Sequence, residues 1–166
     1  MFRALFRAAL AAIVLLYPTL ALAHEGHDLG PTTAIGTLEL RGGFTRATLP
    51  NAPVGGGFVT ITNNGATPDR LVSVSTPAAE VGQLHDMTMD GDVMKMRAMT
   101  EGVVIPPGQT VTLAPGGLHM MFMGLKGAFV EGQSVAVTLT FERAGTVTLD
   151  LPVLGAAADA PMHMDH

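Results

Sequence analysis

Val135-Ala136-Val137-Thr138-Leu139-Thr140-Phe141 and Thr146-Val147-Thr148-Leu149-Asp150-Leu151 alternate apolar with polar residues on either side of an Ala144-Gly145 turn signal. Period-two alternation in Val, Leu, Thr and Phe is the pattern of a strand with one face buried. The same alternation recurs upstream, in Leu38-Glu39-Leu40-Arg41, Phe58-Val59-Thr60-Ile61-Thr62, Leu71-Val72-Ser73-Val74-Ser75 and Thr110-Val111-Thr112-Leu113. Turn signals separate the runs: Asn63-Asn64-Gly65, Asp90-Gly91, Pro106-Pro107-Gly108 and Pro115-Gly116-Gly117. No segment after the first 23 residues has a helical period. Many short strands at this spacing predict an all-β antiparallel sandwich or barrel.

The ends of the chain differ from this pattern. Arg3 and Arg7, the apolar run Ala8 to Leu16, the Tyr17-Pro18 break and Ala21-Leu22-Ala23 form a secretory signal peptide over residues 1–23. Its apolar run is too short to span a bilayer, so no stable membrane anchor is expected. The expected destination is the periplasm. Residues 24–34 are expected to be a flexible leader, 35–154 the β-sandwich domain, and 155–166 a flexible Ala-rich tail ending Met162-His163-Met164-Asp165-His166. Cleavage removes Arg3 and Arg7, leaving seven basic residues against 14 acidic ones. That balance offers no basic patch, and no nucleic-acid partner is expected. There are no cysteines. Disulfides, thiolate zinc sites, thiolate copper sites and lipid attachment after the signal are thereby excluded.

Methionine distribution carries the functional signal. Every methionine except Met1 falls in a cluster with a histidine: Met87, Met89, Met94, Met96 and Met99 after His85; Met120, Met121 and Met123 after His119; Met162 and Met164 around His163. As a core gap-filler, methionine has no reason to track histidine. Soft thioether and borderline imidazole without thiolate form a ligand set suited to copper, Cu(I) above all.

Taking Asp90-Gly91 as a hairpin turn sets a register by counting outward. Met89 then faces Asp92, Met87 faces Met94, and His85 faces Met96, with side chains on one face. In Leu118-His119-Met120-Met121-Phe122-Met123, a strand puts His119, Met121 and Met123 on one face, and Met120 with Phe122 in the core. His85, Met96, His119 and Met121 complete a four-coordinate Cu(I) site. His163, Met164 and His166 in the tail, and His24 and His27 in the leader, are candidate ligands for a second site that prefers Cu(II).

With these residues in view, the chain resembles the PCu(A)C-type periplasmic copper chaperones. Their pattern is His, ten residues, Met, about twenty-one residues, then His-x-Met; here ten residues separate His85 from Met96 and 22 separate Met96 from His119-Met120-Met121. Phe58 to Asn63, Pro68-Asp69-Arg70-Leu71, Val93-Met94-Lys95-Met96-Arg97 and Pro115 to Met121 match as well. The resemblance implies a cupredoxin-like Greek-key sandwich holding Cu(I) through His85, Met96, His119 and Met121, with Met87, Met89, Met94 and Met123 as supporting or alternate ligands. It implies a copper chaperone, not an enzyme, that delivers copper for cytochrome c oxidase assembly. The partner would be the oxidase subunit II or another periplasmic copper chaperone. Two other readings share the metal. One is a periplasmic copper-buffering or resistance protein. The other is a copper monooxygenase chelating copper through His24 at a newly exposed N-terminus, disfavoured by the absence of Tyr and Trp after residue 23.

Overall fold

The structure, a computed structural model, describes residues 31–159. The expected signal peptide, His24, His27, His163, Met164 and His166 lie outside them. Eleven strands and no helix make up the described residues. They are β1 (Thr33–Ile35), β2 (Leu38–Arg46), β3 (Val54–Asn63), β4 (Asp69–Ser75), β5 (Ala79–Asp90) and β6 (Val93–Ala98). The rest are β7 (Val103–Ile105), β8 (Thr110–Leu113), β9 (His119–Leu125), β10 (Ser134–Phe141) and β11 (Gly145–Leu154).

The alternating runs became paired strands because each needs a partner for its backbone and a cover for its apolar face. One layer runs β6-β5-β9-β3-β2, and the path continues β11-β10-β4-β7 through the other. β1 pairs with β2, and β8 pairs with β3. Leu38, Leu40, Val59, Ile61, Met120 and Phe122 of the first layer pack on Leu71, Val74, Val137, Leu139, Leu151 and Val153 of the second. This is the expected cupredoxin-like β-sandwich. One pairing departs from the antiparallel expectation: Val153 and Leu154 of β11 run parallel to Thr45 and Arg46 of β2, stitching the two layers together. The leader boundary also moves, since Thr33 and Ala34 already pair with Leu40 and Glu39. At the other end, Arg46 holds the chain just past β11. Its Nε donates to the Ala158 carbonyl at 2.7 Å, and Nη2 meets the Asp159 carboxylate at 2.6 Å.

Two features position the site. β3 opens with Gly55-Gly56-Gly57, and a Cβ at Gly57 would lie 2.9 Å from the Phe122 ring and 3.2 Å from the Met120 methyl. These glycines let β9 lie close against β3 while Met120 and Phe122 fill the core. The β5–β6 hairpin extends past the end of β9: Ala79 to His85 pair with β9, whereas Asp86 to Asp90 pair with β6 alone.

Candidate metal centre

The register of β5 with β6 differs from the expectation by two residues. His85 faces Ala98, Met87 faces Met96, and Met89 faces Met94. The cause lies in the turn. Asp90 pairs with Val93, so Gly91-Asp92 forms the two-residue loop rather than Asp90-Gly91. Gly91 is in the left-handed region at φ 63° and Asp92 is not, which suits a turn needing glycine only at its first central position. A shift of two keeps every side chain on its expected face. Met96 therefore sits diagonally across from His85, a separation a long thioether side chain can span.

β9 supplies the other half. His85 lies directly across from His119, and Gln83 across from Met121. The two imidazole centres are 5.8 Å apart and tilted by 60°. That separation accommodates one shared ion with metal–nitrogen bonds of about 2 Å. Met121 is half-buried between Gln83 and Gly56, while Met96 is 49% exposed. Met120 is fully buried in the core, as its strand face requires.

Hydrogen bonds orient both rings. His119 Nδ1 donates to the Gly117 carbonyl at 2.9 Å, which leaves Nε2 with its lone pair available. His85 Nε2 donates to Gln83 Oε1 at 2.9 Å. His85 Nδ1 is then a bare lone pair, buried and without a partner among the described residues. A buried polar atom left unpaired is costly, and a metal ion at this face would satisfy it. Burial, and secondarily the facing His119, push the His85 pKa below its usual 6.5. Both causes hold the ring in the neutral form that binds metal. Among the described residues no three His, Asp or Glu side chains gather into a site. The donor set at this face is two imidazoles with thioethers, which fits a soft monovalent ion better than a hard divalent one.

Two groups were not singled out from sequence. Gln83 carried a signal, standing two residues before His85 and so on its face. The Gly117 carbonyl carried none, because its role depends on how the Ala114–Leu118 turn closes.

The model of the LpqE-like lipoprotein family matches residues 38–153, from the start of β2 to the penultimate residue of β11. The chain belongs to the LpqE-like family. A relative described as a lipoprotein, Lxx21020 of Leifsonia xyli subsp. xyli (strain CTCB07), is 36% identical over 96 residues. That match spans 58% of this chain and 58% of the relative. Among solved structures, this LpqE-like chain is similar to a copper-bound PCuAC domain from PmoF2, at 26% identity and TM-score 0.65, covering 76% of this chain and 99% of that one. The apo PCuAC domain from PmoF1 superposes at 28% identity and TM-score 0.64, covering 75% and 99%. The solution structure of CuI-DR1885 from Deinococcus radiodurans gives 28% identity and TM-score 0.57, covering 74% and 80%.

Proposed function

We propose that this LpqE-like protein is a copper chaperone of the cell envelope that carries Cu(I) on His85, Met96, His119 and Met121. The observation that carries the reading is the paired His85 and His119, with a buried Nδ1 that has no partner among the described residues and thioethers on the same sheet face. The likeness to a copper-bound PCuAC domain and to CuI-DR1885 supports the choice of metal.

The donor set also suits delivery. Thioethers carry no charge or proton, so they hold Cu(I) without strong Coulomb trapping. Met96 is the more exposed of the two methionines and can be displaced first by an acceptor's ligand, while the imidazoles keep their grip. Such stepwise exchange is carriage, not catalysis. The acceptor in this reading is cytochrome c oxidase subunit II or another copper chaperone. Export by the segment over residues 1–23 would place the protein in the periplasm. The lipoprotein description of the family supports a place in the cell envelope. The tail histidines His163 and His166, with Met164, and the leader histidines His24 and His27, would serve a weaker Cu(II) site.

X-ray absorption of the reduced, copper-loaded protein tests the reading. A mixed nitrogen and sulfur shell with one Cu(I) at the histidine pair is expected, passing to an oxidase subunit II domain on mixing. An all-nitrogen and oxygen shell would overturn it.

A further inference from the structure

We propose that the β5–β6 hairpin carries a second, all-thioether site for a soft monovalent cation, built from Met87, Met89 and Met94. It goes beyond the chaperone reading, which needs only the histidine pair with Met96 and Met121.

The register creates it. Met89 and Met94 oppose each other directly, and Met94 is diagonal to Met87. Opposed Cβ atoms lie about 5 Å apart and diagonal ones about 7–8 Å. Three rotatable bonds per side chain let these sulfurs converge on one ion. Along a strand each row of same-face residues is about 7 Å from the next. The Met89–Met94 row is therefore about 14 Å from the row of His85 and His119. No side chain at the tip can share an ion held between the histidines. The Met87–Met96 row lies between, with Met96 able to lean towards His85 and Met87 towards the tip.

The two faces of the hairpin are sorted. One presents Asp86 opposite Arg97 and Thr88 opposite Lys95, with Asp90 next to Lys95. On the other, the paired positions beyond the histidine row are Met87, Met96, Met89 and Met94. Met89 is 62% exposed and Met94 54% exposed, so these side chains do not serve the core. Among the described residues no third strand pairs alongside this part of the ribbon. The strand positions of that face carry no carboxylate, and the single Asp92 in the turn offers a hard cation little. Cu(I) or Ag(I) matches a set of neutral sulfurs.

Silver titration of the mature protein tests this, with Ag(I) as the redox-inert stand-in for Cu(I). Binding is read as stoichiometry by native mass spectrometry and as methionine-methyl shifts by NMR. The parent should take two Ag(I), and Met89→Leu/Met94→Leu should take one. Leucine conserves volume and apolarity at these exposed positions, so the fold should persist. His85→Gln/His119→Gln should retain one Ag(I), with methyl shifts confined to Met87, Met89 and Met94. A parent that takes one Ag(I), or a methionine double variant that still takes two, overturns the proposal. The two readings fail separately: silver held only by the histidines removes the hairpin site, and silver held only by the hairpin removes the carrier site.

Discussion

Met96 illustrates what one residue owes to its neighbours. It lies on the face shared with His85 and His119, diagonal to one and a strand further from the other. Met96→Leu removes a sulfur and keeps the volume. Thermal stability should hold, while Cu(I) affinity falls by at least about tenfold, the lower end of what lost metal-site support costs. Competition with a Cu(I) chelator measures this, with Met120→Leu in the core as the unaffected control. His85 makes a second prediction. Its folded pKa is lowered, so the unfolded chain takes the proton more readily. Its contribution to apo stability is present above the unfolded value of 6.5 and lost as pH falls through the lowered folded value. Thermal unfolding at about pH 7 and about pH 5 should show the parent losing more stability than His85→Gln. An equal loss in both would contradict the burial of Nδ1. The candidate ligands were legible in sequence because thioether and imidazole have few reasons to cluster. Gln83 and Gly117 were not, since hydrogen-bond partners depend on pairing and turn closure.

The β5–β6 hairpin shows which element-scale features a sequence encodes. Strand identity and facing followed from period two, and the inward turn of Met120 and Phe122 followed from the same rule. Register did not. It depended on whether Asp90-Gly91 or Gly91-Asp92 closed the loop, and both dipeptides contain the one glycine. The second needs a single left-handed residue, and Gly91 alone takes that conformation. A Cβ at Gly91 would meet nothing within 4 Å, so Gly91→Ala isolates the cost of the conformation. We expect about 1–2 kcal/mol against the hairpin. Faster amide exchange in Asp86–Asp90 and Val93–Arg97, with β10 and β11 unchanged, would report it. Unchanged exchange would mean the loop tolerates alanine through another register. The short strands β1 and β7 escaped sequence reading because three residues carry too little alternation, and pairing with longer neighbours defines them.

At the scale of the whole molecule, nine of the eleven strands form one path from β6 to β7, with β1 attached to β2 and β8 to β3. The layered core was readable from alternation alone, but the parallel join of β11 to β2 was not, because it is set by how two layers meet. Among the described residues β6 and β7 end the path as edge strands, each with a row of unpaired backbone groups that could template self-association. β7 limits its edge by being only three residues long. β6 cannot, since it carries Met94 and Met96 on an exposed, apolar ribbon. Its other face alternates Lys95 and Arg97, so a second copy approaching edge to edge would bring like charges together. Under the proposed reading, that repulsion would let the exposed methionines stand in water without edge-to-edge pairing of two copies. Lys95→Thr/Arg97→Thr should leave the monomer's unfolding temperature nearly unchanged and make light scattering rise with protein concentration. Scattering that stays flat would mean that charge along β6 does not govern colloidal stability.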